Sequence, residues 1–231
     1  MIEAILPSCV SAVEALEDVT DAVLFPEEKR AVGGAVEKRM REFTTARVCA
    51  RAALERLGFP AGPIPTGGRG EPLWPAGVVG SITHCDGYRA CAVARSSEVV
   101  TVGIDAEPNA PLPDGLLEDI ARPEELPNLR RLGWETPEVH WDRLEFSAKE
   151  SVYKAWFPLT KRWLGFDDAM IAFDPVAGTF IARLLVPGPQ LDDGPLRGFH
   201  GRWVVRDGII ATGIAVTRHC VVSSSDMLSP R

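Results

Sequence analysis

Two short segments about forty residues apart carry the side chains best suited to chemistry. Val102-Gly103-Ile104-Asp105-Ala106-Glu107-Pro108 offers two carboxylates at the end of an apolar run. Phe146-Ser147-Ala148-Lys149-Glu150-Ser151-Val152-Tyr153-Lys154-Ala155-Trp156 offers a carboxylate and a lysine four residues apart. On a strand, residues two apart face the same side, so Asp105 and Glu107 can converge on one point. On a helix, Glu150 and Lys154 share a face. Three carboxylates make an oxygen-rich site that suits magnesium, which keeps waters and engages phosphate oxygens. Lys154 would then reach a phosphate as a point charge. The plainer alternatives stand beside this: one acid capping a turn, and a surface ion pair worth little.

Other residues fit an anionic ligand. His84 follows the strand-like run Gly80-Ser81-Ile82-Thr83, where a histidine and the Thr83 hydroxyl could meet a phosphate, or the ring could be structural. Thr66-Gly67-Gly68-Arg69-Gly70-Glu71-Pro72 is glycine-rich but lacks the lysine and terminal hydroxyl of a P-loop. It reads as a turn or as backbone brought close to a ligand. Arg39 and Arg47 lie two helical turns apart and about 80° around the axis, so both can reach an extended anion. Ser81 has no nucleophile elbow around it, which leaves serine-hydrolase chemistry unsupported.

These side chains need elements to position them. Pro26-Glu27-Glu28 reads as a helix start. Apolar spacing predicts a helix over 35–57, stopped by Gly58. Residues 60–77 read as loop, and 78–83, 89–95 and 98–104 as an antiparallel meander. A second long helix is predicted over 141–157, ended by Pro158. Strands are expected at 170–173, 180–186, 202–206 and 209–216, with Asp207-Gly208 as a hairpin turn. The order helix, strands, helix, strands predicts an α+β protein of two similar halves, 1–109 and 110–222, with a flexible tail over 223–231.

Composition narrows the class. The chain has 231 residues, with 45% hydrophobic and 25% charged, enough for a core without metal or disulfide support. A net charge of -7 argues against nucleic acid as the partner, although Lys29–Arg51 and Lys149–Arg162 concentrate basic residues. Five cysteines without a C-x-x-C pair argue against a disulfide framework or a cysteine-based zinc site. With no signal segment and no membrane-spanning run, the expectation is a cytoplasmic protein.

Taken together, Gly70-Glu71-Pro72, Gly80 to Cys85, Gly103 to Pro108 and Phe146 to Phe166 resemble the surfactin-synthetase-type 4′-phosphopantetheinyl transferases. The enterobactin-synthetase component D branch, with its actinobacterial members, is the nearest likeness. The resemblance runs from about Arg39 to Phe173, and the motifs are specific through their joint order. It implies a pseudo-twofold pair of α+β subdomains in one monomeric chain, with coenzyme A in the cleft between them. It implies magnesium, or manganese in its place, as the metal. The implied reaction moves phosphopantetheine to a serine of an apo acyl or peptidyl carrier protein and releases 3′,5′-ADP.

By the same resemblance Asp105, Glu107 and Glu150 are the metal-associated acids, and Glu150 is the base. Lys154 and His84 steady the pyrophosphate, and Arg39 and Arg47 stand near the 3′-phosphate. Gly67, Gly68, Arg69, Gly70, Glu71 and Pro72 line the nucleotide. Tyr153, Trp163 and Leu164 flank the pantetheine arm, and Thr83 and Lys149 join the cofactor-binding set. Family members often carry a lysine where Thr66 stands. Carrier proteins are typically acidic, which the local basic stretches could steer. The competing expectation is a noncatalytic coenzyme A-binding or scaffold protein.

Overall fold

The computed structural model describes residues 1–192 and 194–218. Cys220 and the tail expected over 223–231 lie outside the described residues.

The first half opens with a 3-10 turn over Ile2–Ile5 and strand β1 (Val10–Ala15). Helix α1 (Pro26–Lys29) starts on Pro26 as expected, and the glycines at 33 and 34 separate it from α2 (Glu37–Arg56). Strands β2 (Val78–Cys85) and β3 (Tyr88–Arg95) form a hairpin, and β3 also pairs with β1. The resulting antiparallel sheet has the order β1-β3-β2. Helix α2 covers it with Cys49, Ala50, Ala53 and Leu54 against Val78, Cys91 and Val93. These small and branched side chains let the helix lie close to the sheet.

Strand β4 (Val99–Pro108) then leaves this sheet. Helices α3 (Leu116–Ile120), α4 (Leu126–Glu135) and α5 (Trp141–Thr160) follow. The rest of the chain supplies β5 (Ala169–Asp174), β6 (Thr179–Leu184), β7 (Gln190–Leu191), β8 (Gly194–Pro195), β9 (Gly198–Arg206) and β10 (Ile209–Thr217). The second sheet has the order β4-β10-β9-β6-β5, all antiparallel, and β7 and β8 form a separate ribbon. Asp207 and Gly208 both take positive φ, as the turn between β9 and β10 requires. Leu144, Ala148, Val152 and Ala155 of α5 pack on Phe180, Phe199, Ile210 and Ile214. Each half is thus one long helix on one antiparallel sheet.

Three expectations need correction. The meander breaks at β4, which bonds to β10 of the second sheet rather than to its neighbours in sequence. Where β4 runs beside β2, side-chain hydroxyls replace the ladder: Ile104 N–H donates to Ser81 Oγ at 3.1 Å and Ala106 N–H to Thr83 Oγ1 at 3.0 Å. A division at residue 109 therefore does not coincide with the division between sheets. Strand β4 also runs on to Pro108, because Ile209–Thr212 of β10 pairs with Asp105–Pro108. Pro158 does not end α5. The helix loses the bond that a residue 158 N–H would make, yet continues to Thr160 and stops at Lys161, which takes φ 54.

Candidate active site

Strand β4 and helix α5 meet where the two sheets join, and the site is built on that crossing. Gly103 sets the distance: a Cβ there would stand 2.1 Å from Ser151 O, so only glycine lets α5 lie this close to β4. Thr101 Oγ1 donates to Ala155 O at 2.8 Å. Thr212, the cross-strand partner of Asp105, contacts Ser147 Oγ at 2.9 Å and Ser151 Oγ at 2.7 Å. These fully buried hydroxyls lock the helix in register with the two strands.

That register brings Lys154 to Asp105, with Nζ 2.6 Å from Oδ1. Thr83 Oγ1 donates to the same oxygen at 3.2 Å. Asp105 is 4% exposed, and its Oδ2 is buried with no hydrogen-bond partner. Glu107, on the same face of β4, pairs with Arg143 of α5 at 3.1 Å. Burial, and next the charge of Asp105, push the Glu107 carboxyl up to about 7, despite Arg143. Glu150 is half-buried, and burial raises its carboxyl above the ordinary value, with Lys154 opposing and Asp105 adding to the rise. Among the described residues no set of three His, Cys, Asp or Glu side chains stands close enough to share an ion. Lys154 and Arg143 supply the counter-charges in this arrangement.

A cleft of about 280 Å³ opens beside this crossing. Arg69–Pro72, Trp74 and Gly80–Ile82 form one wall, and Glu150, Tyr153, Lys154, Phe157, Pro158 and Lys161 form the other. The glycine loop is a tight turn. Gly67 N–H donates to Glu71 O at 2.7 Å and Gly70 N–H to Gly67 O at 3.1 Å, enclosing Gly68. The Glu71 carboxylate folds over Gly67, where a Cβ would lie 2.4 Å from it, and accepts from Arg69 N–H at 2.9 Å. A bridge from Thr66 to Pro72 closes the turn. Trp163 and Leu164 line a smaller pocket of about 160 Å³ next to Glu150 and Tyr153. The Tyr153 and Trp163 rings stand 5.0 Å apart.

His84 and Arg39 are brought together, the guanidinium Nη1 against the ring Nε2. Glu42 lies 3.6 Å from His84 Nδ1 and Arg89 lies 3.7 Å from Glu42. A neutral ring with its proton on Nδ1 fits these neighbours. Burial lowers the His84 value to about 4, helped by Arg39, Lys154 and Arg89.

Two expected ligand contacts are not met. Arg47 is buried beneath the glycine loop, its Nε donating to Ile64 O at 2.9 Å and its Nη2 to Thr66 Oγ1 at 3.0 Å. It props the loop instead of reaching outward. Lys149 is 3% exposed and its ammonium bonds Ile120 O, the Glu125 carboxylate and Phe166 O. Its neighbour Glu150 faces the cleft, while Lys149, about 100° further round the helix, faces the core.

Sequence reading missed Arg143, Glu42 and Thr212. Arg143 lies seven residues before Glu150, two turns along α5, and Glu42 lies three after Arg39. Those spacings were the available signal. Nothing local marked Thr212.

Comparison with known proteins identifies the family. Residues 27–94 match the family model described as 4′-phosphopantetheinyl transferase N-terminal domain. Residues 101–196 match that of the 4′-phosphopantetheinyl transferase superfamily. The chain is 56% identical over 219 residues to 4′-phosphopantetheinyl transferase Svp of Streptomyces mobaraensis, covering 94% of this chain and 89% of that protein. It is 50% identical over 223 residues to 4′-phosphopantetheinyl transferase Npt of Nocardia iowensis, covering 93% and 99%. It is 45% identical over 224 residues to 4′-phosphopantetheinyl transferase PptT of Mycobacterium tuberculosis, covering 94% and 98%. The chain belongs to the 4′-phosphopantetheinyl transferase superfamily.

Proposed function

We propose that this chain transfers 4′-phosphopantetheine from coenzyme A to a serine of an apo acyl or peptidyl carrier protein, releasing 3′,5′-ADP. The observation that carries this reading is the crossing of β4 and α5. It sets Asp105, Lys154 and Glu150 beside one cleft between the two halves. Phosphoryl chemistry needs mainly positioning and charge neutralisation, and these residues supply both.

In this reading Glu150 takes the proton of the carrier serine. Burial raises its carboxyl, which makes it the stronger base. The serine oxygen bonds to the β-phosphorus of coenzyme A. The bond from that phosphorus to the bridging oxygen breaks, and 3′,5′-ADP leaves with the electron pair. Lys154 offsets the negative charge of the pyrophosphate, with Arg39 contacting a nucleotide phosphate and neutral His84 holding the Arg39 guanidinium in place. The turn from Gly67 to Pro72 offers backbone to the nucleotide. Tyr153, Trp163 and Leu164 enclose the pantetheine arm.

Asp105, Glu107 and Glu150 do not stand close enough to share one ion, with Lys154 on Asp105 and Arg143 on Glu107, but their chemistry suits a hard divalent cation. Asp105 has a buried oxygen without a partner, and Glu107 and Glu150 both have carboxyls raised by burial, a balance that a cation would reverse. All three offer oxygen donors, as magnesium or manganese prefers. When bound, the ion would neutralise charge on the pyrophosphate. No described helix is long and apolar enough to cross a membrane. Cys49, Cys85 and Cys91 are buried free thiols. Reduced buried thiols suit a cytoplasmic enzyme, and the net charge of -7 argues against nucleic acid; the monomeric state is what the family resemblance implies.

The test is mass spectrometry of an apo carrier protein incubated with coenzyme A, magnesium and this protein. A gain of the phosphopantetheine mass is expected with the wild type, and none with Asp105→Ala or Glu150→Gln. Full activity in both variants would overturn the assigned acids. An unchanged mass across a panel of carriers would return the chain to a noncatalytic coenzyme A binder.

A further inference from the structure

Lys149 stands next to Glu150 in the chain, yet its ammonium lies in the interior of the second half. Nζ donates to Ile120 O at 2.8 Å, to Glu125 Oε2 at 2.8 Å and to Phe166 O at 3.0 Å. An ammonium has three protons, and all three are used. No donor remains for a phosphate.

The partners come from separate elements. Ile120 ends α3, Glu125 precedes α4, and Phe166 opens the 3-10 turn Phe166–Asp168. Glu125 accepts from Arg122 N–H at 2.7 Å and from Ile171 N–H of β5. Lys149 also stands 3.4 Å from the buried Glu145 carboxylate one turn back on α5, so a cluster of one ammonium and two carboxylates ties α3, the start of α4, the 3-10 turn and β5 to α5. Phe166 follows Trp163, Leu164 and Gly165, and all four line the smaller pocket beside Glu150, as does Lys149, whose ammonium is turned to the three acceptors above. No strand or helix holds residues 161–165; α5 fastens this wall at two points, Trp156 Nε1–H donating to Arg162 O at 3.0 Å and Lys149 Nζ donating to Phe166 O at 3.0 Å.

We propose that Lys149 is a positioning residue: with Glu125 it fastens the Trp163–Phe166 wall of the smaller pocket to α5 beside Glu150, and its ammonium holds no phosphate. The inference rests on the reading above, in which this pocket takes the pantetheine arm. A buried pair of this kind is weak evidence for added stability, but removing one partner displaces whatever the pair holds. Displacing the wall would disturb the pantetheine half of coenzyme A and leave the nucleotide half alone.

The product 3′,5′-ADP carries the nucleotide without the arm, and so separates the two halves of the ligand. The experiment measures steady-state transfer and 3′,5′-ADP affinity, by calorimetry, for the wild type, Lys149→Met and Glu125→Gln. Both variants should raise KM for coenzyme A about tenfold or more, and keep the 3′,5′-ADP Kd within about twofold of wild type. Equal weakening of both ligands in Lys149→Met would make Lys149 a direct contact of a nucleotide phosphate, and a raised KM in Lys149→Met alone would make it a contact of the phosphate that travels with the arm; either overturns the proposal. So would an unchanged KM in Glu125→Gln, whose side chain is buried and keeps its shape. If Lys149→Met does not fold, Glu125→Gln decides alone. A wild type that binds neither coenzyme A nor 3′,5′-ADP would overturn this inference together with the functional reading.

Discussion

His84 shows how one side chain is set by its neighbours. Burial and the cations Arg39, Lys154 and Arg89 hold its value at about 4, below the ordinary 6.5. Between those values the unfolded chain binds a proton that the folded chain refuses. Stability is then complete above about pH 6.5 and falls as the pH drops toward 4. Chemical denaturation across this range should show the slope, and His84→Asn should flatten it. An unchanged slope would mean that His84 is charged in the folded protein. Residue types were legible in the sequence at this scale, because Asp105, Glu150, Lys154 and His84 carry chemistry that few other side chains offer. Their partners were not. Arg47 and Lys149 have the same charge as an outward phosphate ligand, and only burial separates the two roles.

At the scale of elements, the site depends on how closely α5 lies on β4. Gly103→Ala would place a methyl 2.1 Å from Ser151 O and 2.7 Å from Ala155 N, both backbone atoms that cannot turn aside. The helix must move, and the Lys154–Asp105 contact moves with it. We expect a loss of about 2–4 kcal/mol in stability by denaturant unfolding, with transfer reduced even where the variant is fully folded. Full activity with an unchanged midpoint would show that the crossing is looser than described. Both long helices were legible from apolar period, and the β9–β10 turn from Asp207-Gly208. The end of β4 was not. Its last residues are strand only because β10 pairs with them, and β10 lies about a hundred residues away. Pro158 misled for the opposite reason: a local breaker near a helix end was overridden by packing around Trp156 and Phe157.

At the scale of the whole molecule, β4 makes the two halves interdependent. It lies in the first half by sequence and in the second by hydrogen bonding. Val102, Ile104 and Ala106 are buried in a cluster with Tyr88 and Ala90 of β3 and Ile209 and Ala211 of β10. A chain divided between Asn109 and Ala110 should yield two pieces that show no cooperative melting alone by circular dichroism, and regain it when mixed. Independent cooperative melting of either piece would contradict this account.

The sequence by itself determined the class of chemistry, the two-part α+β plan and the family, since these follow from residue type, periodicity and motif order. Only the tertiary structure decided which charges face the cleft and which support it. It placed Lys154 on Asp105, Arg143 on Glu107, and Lys149 on Glu125 in the interior. The physical reason is that a side chain's role depends on its direction and its desolvation. Both are set by contacts between residues far apart in the chain, which no local pattern records.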